Sequence, residues 1–292
     1  MQDSCGCTSR PYRLLRTAYD MVHPTAAASR AHAATPAGRR PRATARRALA
    51  LPALAMLALA TLLTALPARA DPGYYLVAPY DHAGQFTAEF RYWTFTHRGA
   101  AQVIWPELGV SYGVNTRWTT GLLESYIGHG WSDLKASTLT WQNVVLLTQG
   151  EWPLDVALWG ALSHAQNGLF KNAVEWGPVL QTDIGRTQLN ANLFFEHTYG
   201  APRPKPTQMK YQWQVKHRWR PGWQVGLQGF GELGDWDGWA PADRQSHRLG
   251  PALFAGVRDL AGGEWALQAA YLSGKTYGTT GSMWSLRAAY SY

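Results

Sequence analysis

From residue 85 onward the chain alternates apolar and polar side chains with a period of two. In Gln188-Leu189-Asn190-Ala191-Asn192-Leu193-Phe194-Phe195-Glu196 the odd positions are apolar and the even ones mostly polar. Lys210–Lys216 and Trp223–Gln228 repeat the pattern. Side chains that change face at every residue predict β-strands. Twelve segments qualify: 85–95, 104–113, 117–127, 138–148, 154–163, 173–183, 187–197, 208–218, 222–231, 247–258, 264–272 and 282–292. Most span 10–12 residues, about twice the usual soluble strand. That is the length a tilted strand needs to cross a bilayer. The gaps between segments run 8, 3, 10, 5, 9, 3, 10, 3, 15, 5 and 9 residues, so long and short alternate.

The last segment reads Trp284-x-Leu286-x-Ala288-x-Tyr290-x-Tyr292. It resembles the C-terminal signal of Gram-negative outer-membrane β-barrels, which the barrel-assembly machinery reads. Short periplasmic turns and longer external loops are also the habit of such barrels. The resemblance covers residues 71–292. It implies an all-β fold, a single antiparallel up-and-down transmembrane β-barrel of about twelve strands, with outer-membrane lipids and lipopolysaccharide as partners. An even strand count with a long gap first places both barrel ends in the periplasm. Within that class, Val174–Gly200 resembles small predicted outer-membrane transport barrels. A secreted β-sandwich or lipocalin-like barrel is disfavoured by strand length, by gap alternation and by the terminal aromatic. Tyr92, Trp93, Trp105, Trp118, Trp141, Trp176, Trp219, Trp223, Trp265 and Trp284 stand near strand ends, where interfacial girdles form. Trp93 and Trp159, however, share parity with polar residues and are expected inside.

Residues 1–70 are of another kind. After Arg46-Arg47 the apolar run ALALPALAMLALATLLTALPARA ends in Ala68-Arg69-Ala70. A basic stretch, an apolar stretch and an A-x-A site describe a secretory signal peptide, cut between Ala70 and Asp71. The run is nearly long enough to be a membrane anchor instead. Its alanines, its two prolines and the terminal A-x-A favour cleavage. Residues 71–84 are then a periplasmic lead, a plug in the lumen or an extra strand, and the barrel occupies 85–292.

Charge and thiols sort with this division. The formal charge is +8, and residues 1–70 hold ten Arg, no Lys and two acids. Residues 71–292 hold seventeen bases and seventeen acids, so the body is neutral. A neutral body gives no general attraction for polyanions, and nucleic acid is excluded as a partner. Cys5 and Cys7 also lie in the leader, which removes disulfides, thiolate metal sites and a cysteine nucleophile from the body.

Twelve strands enclose a lumen between the filled interior of eight and the aqueous channel of sixteen, so its chemistry decides what it does. Parity points Glu89, Arg91, Glu107, Asp155, Glu175, Asp183 and Glu196 inward from the first seven segments. Lys210, Lys216, Arg218, Arg248, Arg258, Glu264 and Arg287 point inward from the last five. Opposed acidic and basic walls would set a transverse field suited to small polar solutes, with neutralisation of Lys210, Lys216 and Arg248 shifting selectivity toward cations. Against this, charges in a narrow lumen also pair, and Arg287 is expected to meet Glu89 and Arg91 at the closing seam. Asp155, Asp183, Arg218 and Arg258 fall near the periplasmic rim. The pore-lining candidates are therefore Glu89, Arg91, Glu107, Glu175, Glu196, Lys210, Lys216, Arg248 and Arg287.

No enzyme is expected. Lipid hydrolases of twelve strands carry His-x-Ser, often followed by Asn-Gly, whereas this chain reads His164-Ala165-Gln166-Asn167-Gly168. An amide stands where the nucleophile belongs, and Ser163 has the opposite parity to His164. His97, His129, His164, His197 and His247 sit at outer strand ends, but their parities disagree, so one metal cavity is not expected. Asp235 and Asp237 are too few for a calcium loop, and no cofactor is expected. The basic stretch Pro202–Pro206 suits an exposed loop near lipopolysaccharide. The function expected is a narrow porin-like channel for passive diffusion of small polar solutes. The alternative is a closed barrel with a structural or adhesive role through its external loops, and a lipid hydrolase comes third.

Overall fold

The computed structural model describes residues 74–80, 82–97, 101–168, 170–200, 205–276 and 278–292. The leader, with the cleavage site expected between Ala70 and Asp71, lies outside the described residues. In chain order the strands are β1 (Phe86–His97), β2 (Val103–Gly113), β3 (Trp118–Ile127), β4 (Lys135–Leu146), β5 (Asp155–Ala165), β6 (Asn172–Ile184) and β7 (Thr187–Tyr199). They continue as β8 (Gln208–Arg220), β9 (Trp223–Asp235), β10 (Gly238–Trp239), β11 (Ser246–Leu260), β12 (Gly263–Thr276) and β13 (Thr279–Ser291). Each long strand pairs antiparallel with its neighbours, β8 pairs with β9, and β13 returns to β1. The sheet therefore closes as a barrel of twelve long strands, with β10 a two-residue hairpin extension of β9. Phe86 and Ser291 lie at the same end, here called the near end.

Closure gives every strand an inner and an outer face, and the sequence assigns them. On β7, Asn190, Asn192, Phe194 and Glu196 are buried inside, while Leu189, Ala191, Leu193 and Phe195 take the other face. The outer surface is a belt of exposed Leu108, Leu122, Leu158, Leu162, Leu249 and Leu267. The interior carries the buried amides Gln142, Gln181, Asn190, Asn192, Gln212, Gln214 and Gln228. A soluble barrel is apolar inside and polar outside, so this one is inverted. On the outer face of β9 the side chains of β8 lie flat against glycines. A Cβ on Gly229 would fall 2.1 Å from Trp213 Nε1, and one on Gly231 would fall 2.2 Å from the Tyr211 ring.

All twelve expected strands are present, their limits moved by at most four residues. Two connections break the expected alternation of long and short. β12 runs to Thr276 and β13 starts at Thr279, where a nine-residue gap was expected. The extension pairs Gly274 with Gly281 and Lys275 with Thr280. Small and polar residues alternate weakly, so a hairpin beyond the apolar belt leaves little period-two signal. The near-end connection from Leu147 to Leu154 is longer than the five residues expected. The alternation of long and short connections is thus partial.

Candidate functional site: the lumen and the segment within it

At Gly84, φ is 75°, a left-handed conformation that glycine adopts without a Cβ penalty. Gly84 N donates to Gly113 O and Gln85 N to His82 O. This turn at the near rim sends the preceding residues into the barrel. Ser285 Oγ donates to Tyr74 O at 2.6 Å, and Asn192 Nδ2 donates to Val77 O at 2.9 Å. Val77 N donates to Gln212 Oε1 at 3.3 Å. Strands β7, β8 and β13 therefore hold one short segment in the lumen.

Tyr74 and Tyr75 pack their rings against the wall. The Tyr74 ring lies 5.1 Å from Trp93 and 5.6 Å from Phe230, edge to face with both. The Arg248 guanidinium sits 5.1 Å from the same ring and 4.4 Å from Phe95. Tyr75 lies beneath Arg91, whose guanidinium carbon is 3.3 Å from the ring centre. Between segment and wall two chambers remain. The near-end chamber measures about 190 Å³ and is lined by Tyr75–Tyr80, Gln142, Asn143 and Arg287. The far-end chamber measures about 70 Å³ and is lined by Tyr75, Trp105, Glu107, Trp159, Phe170 and Glu175. Tyr75 lines both and divides them.

Every pore-lining candidate lies inside the barrel, but the charges meet their neighbours rather than the opposite wall. At the seam of β1 and β13, Glu89 is bonded to Arg91, and Arg287 Nε donates to Glu89 Oε2 at 2.8 Å. Across β6, β7 and β8, Lys210 is bonded to Glu196 and donates to Glu175 Oε2 at 3.1 Å. Glu175 Oε1 also accepts from Trp159 Nε1 at 3.0 Å. The simple picture of an acidic wall facing a basic one is therefore corrected. Cross-strand neighbours are about 5 Å apart, and a buried charge left unpaired costs several kcal/mol. Pairing along the wall wins over facing across it. Lys216 lies over the Phe254 ring at 5.3 Å, and Arg248 points Nη1 at Met283 Sδ. Neither makes a salt bridge among the described residues.

Asp183 and Arg218 form an exposed pair at 3.2 Å on the near rim, and Arg258 and Glu264 another at 3.6 Å. Six of the expected girdle residues (Trp118, Trp141, Trp176, Trp219, Trp223 and Trp284) are exposed. Trp105 is a correction: it is 6% exposed and stacks on Trp93 at 4.4 Å inside. It shares parity with Glu107, and that signal was available in the sequence. Ser163 bonds Thr140 in the interior while His164 is exposed, so the two do not meet. His129, His197 and His247 bond Gln102 O, Thr207 and Tyr211 respectively. Among the described residues no group of three or more His, Cys, Asp or Glu could hold a metal. Arg203 and its two flanking prolines lie outside the described residues.

Outside the strands, two carboxylates are tuned by backbone amides. Burial alone would raise the Asp133 pKa, but the amides of His129 and Gly130 donate to it and hold it below the usual range. Glu151 is lowered chiefly by the Gln149 amide.

No family model and no curated protein matches the chain. The NanC porin structure superimposes with a TM-score of 0.50 at 10% identity, over 70% of this chain and 98% of that one. The likeness is one of fold, a closed antiparallel β-barrel. Other similar structures are the KdgM porin and an outer membrane channel from Pseudomonas putida F1. Their TM-scores are 0.47 and 0.48 and their identities 7% and 13%. They cover 70% and 77% of this chain and 99% and 100% of their own.

Proposed function

We propose that this protein is an outer-membrane channel of the porin kind for small polar solutes, with Tyr74–Tyr80 narrowing its lumen from the periplasmic side. The observation that carries this reading is the inversion of the barrel. An outer belt of exposed leucines suits hydrocarbon, and an amide-lined, charged interior suits hydrated solutes. On this reading the near end faces the periplasm, and the far end, with the Trp236–Gln245 connection, faces outward. The porin neighbours support the same class. No arrangement at His164 supports hydrolysis, since Ser163 bonds Thr140 on the opposite face. The C-terminal strand is read as the contact for the barrel-assembly machinery.

The test is planar-bilayer recording of protein extracted from the outer membranes of cells expressing the full chain. Recovery in the outer-membrane fraction and discrete conductance steps are expected. Membrane insertion without any conductance, both for this protein and for a Tyr74→Ala variant, would overturn the channel reading.

A further inference from the structure

The far-end chamber contains a carboxylate whose bonding is incomplete. Glu107 is 4% exposed. Its Oε1 accepts from Ser125 Oγ at 3.1 Å, whereas Oε2 has no hydrogen-bond partner. Arg91 is its register partner on β1, yet that guanidinium is turned toward Glu89. No cation lies within 4.0 Å of Glu107 among the described residues. The same chamber is lined by Glu175 and Glu196, which share one ammonium, that of Lys210.

The remaining walls combine aromatic rings with the hydroxyls of Ser125, Thr138, Thr140 and Ser163 and the aliphatic Leu123, Ala161 and Ala173. Trp105, Trp159 and Phe170 all line the chamber, and Trp105 and Phe170 meet edge to face at 5.3 Å. Phe170 lies in the far-end connection between β5 and β6 and is 8% exposed, so it roofs the chamber, while Tyr75 floors it. Inorganic cations require several oxygen ligands at fixed distances, whereas among the lining side chains a single buried oxygen, Glu107 Oε2, stands without a hydrogen-bond partner. Aromatic walls with a buried carboxylate match a different chemistry, attraction of an organic cation to π-systems and a counter-ion. The space of 70 Å³ is several times the roughly 10–15 Å³ that a cavity needs to hold one water, so the chamber has room for a small organic cation such as tetramethylammonium.

We propose that the far-end chamber is a binding site for a small organic ammonium ion, with Glu107 Oε2 as its counter-ion and Trp105, Trp159 and Phe170 as its walls. The site is reached from the outside, past Phe170. It goes beyond the channel reading, because binding here needs no open path through the barrel.

Calorimetric titration of the detergent-extracted protein with tetramethylammonium chloride tests it, with sodium chloride and neutral tert-butanol as controls. One saturable site is expected for tetramethylammonium and none for either control. Glu107→Gln keeps the shape and removes the charge, and is expected to weaken binding at least about tenfold. Phe170→Leu, in a connection rather than a strand, is expected to weaken it about threefold. Circular dichroism verifies that each variant is folded. The site is overturned if folded protein shows no saturable heat, if tert-butanol binds as tightly, or if Glu107→Gln binds unchanged. Should Glu107→Gln not fold, unchanged affinity in Phe170→Leu overturns it. Ammonium binding without conductance would sink the channel and keep the site, and conductance without binding would do the reverse.

Discussion

The lumen contains two buried charge clusters that mirror each other. At the seam, one carboxylate, Glu89, lies between two guanidiniums, Arg91 and Arg287. Across β6–β8, one ammonium, Lys210, lies between two carboxylates, Glu175 and Glu196. The first carries a surplus positive charge and the second a surplus negative one. Their surroundings differ too. Arg287 is a third exposed, facing the near-end chamber, whereas Lys210 is 4% exposed. The two clusters contribute to any field across the lumen together with Glu107, Lys216 and Arg248, which make no salt bridge among the described residues. Its strength depends on single residues.

The comparison breaks most easily at Lys210. Lys210→Met leaves two interior carboxylates without their common partner, and a loss of about 3–5 kcal/mol of stability is expected. Urea unfolding in detergent measures it, and a change below about 1 kcal/mol would mean that the cluster is not held as described. A smaller effect is expected at the seam. Arg287→Gln leaves Glu89 bonded to Arg91, so about 1 kcal/mol should be lost by the same assay. A loss as large as that of Lys210→Met would erase the difference between the clusters.

Tyr74→Ala sharpens the contrast from another side, since Tyr74 holds the segment whose next residue covers Arg91. Losing its ring removes about 2 kcal/mol of packing. A rise in open-channel time of about tenfold is expected in bilayer recordings. Unchanged openings would show that the segment does not limit flow.

Asp133 supplies the mildest comparison, a carboxylate held by amides outside the barrel. Its folded pKa is depressed. Its contribution is therefore present above the ordinary aspartate value of about 3.9 and is lost as pH falls through the lower folded value. The protection of the His129 and Gly130 amides, taken as the exchange rate relative to the intrinsic rate at the same pH, should fall only at acidic pH. A fall in that protection near neutrality would contradict the bonding described.

The strands and their closure were legible because a two-faced strand must alternate, whatever its partners are. Glu89, Arg91 and Arg287 were legible as a group because first and last strands of a closed barrel must meet. The Lys210 cluster was not foreseen as a cluster. Parity gives the face of a side chain but not its height, and height decides whether Lys210 meets Glu175 or looks across to it. Trp105 was assigned to the girdle from its position near a strand end, although its parity with Glu107 spoke for the interior. Tyr74–Tyr80 lacks any period, so the sequence left three readings of it open. Part of what holds it is the main chain of Tyr74 and Val77 against wall side chains, and main-chain bonding leaves no mark on residue identity.

Tyr74 and Ser285 are 211 positions apart in sequence, and their hydrogen bond joins the residues before β1 to β13. Asn192 and Gln212 hold the same segment from the opposite stretch of the chain. No subset of strands presents all these groups at once, because loop closure over such separations must come first. The segment can reach its final place only after the last strand has shut against the first. Protection of the Val77 amide during assembly would therefore serve as a clock that starts at completion, distinguishing a finished barrel from one still open along its side.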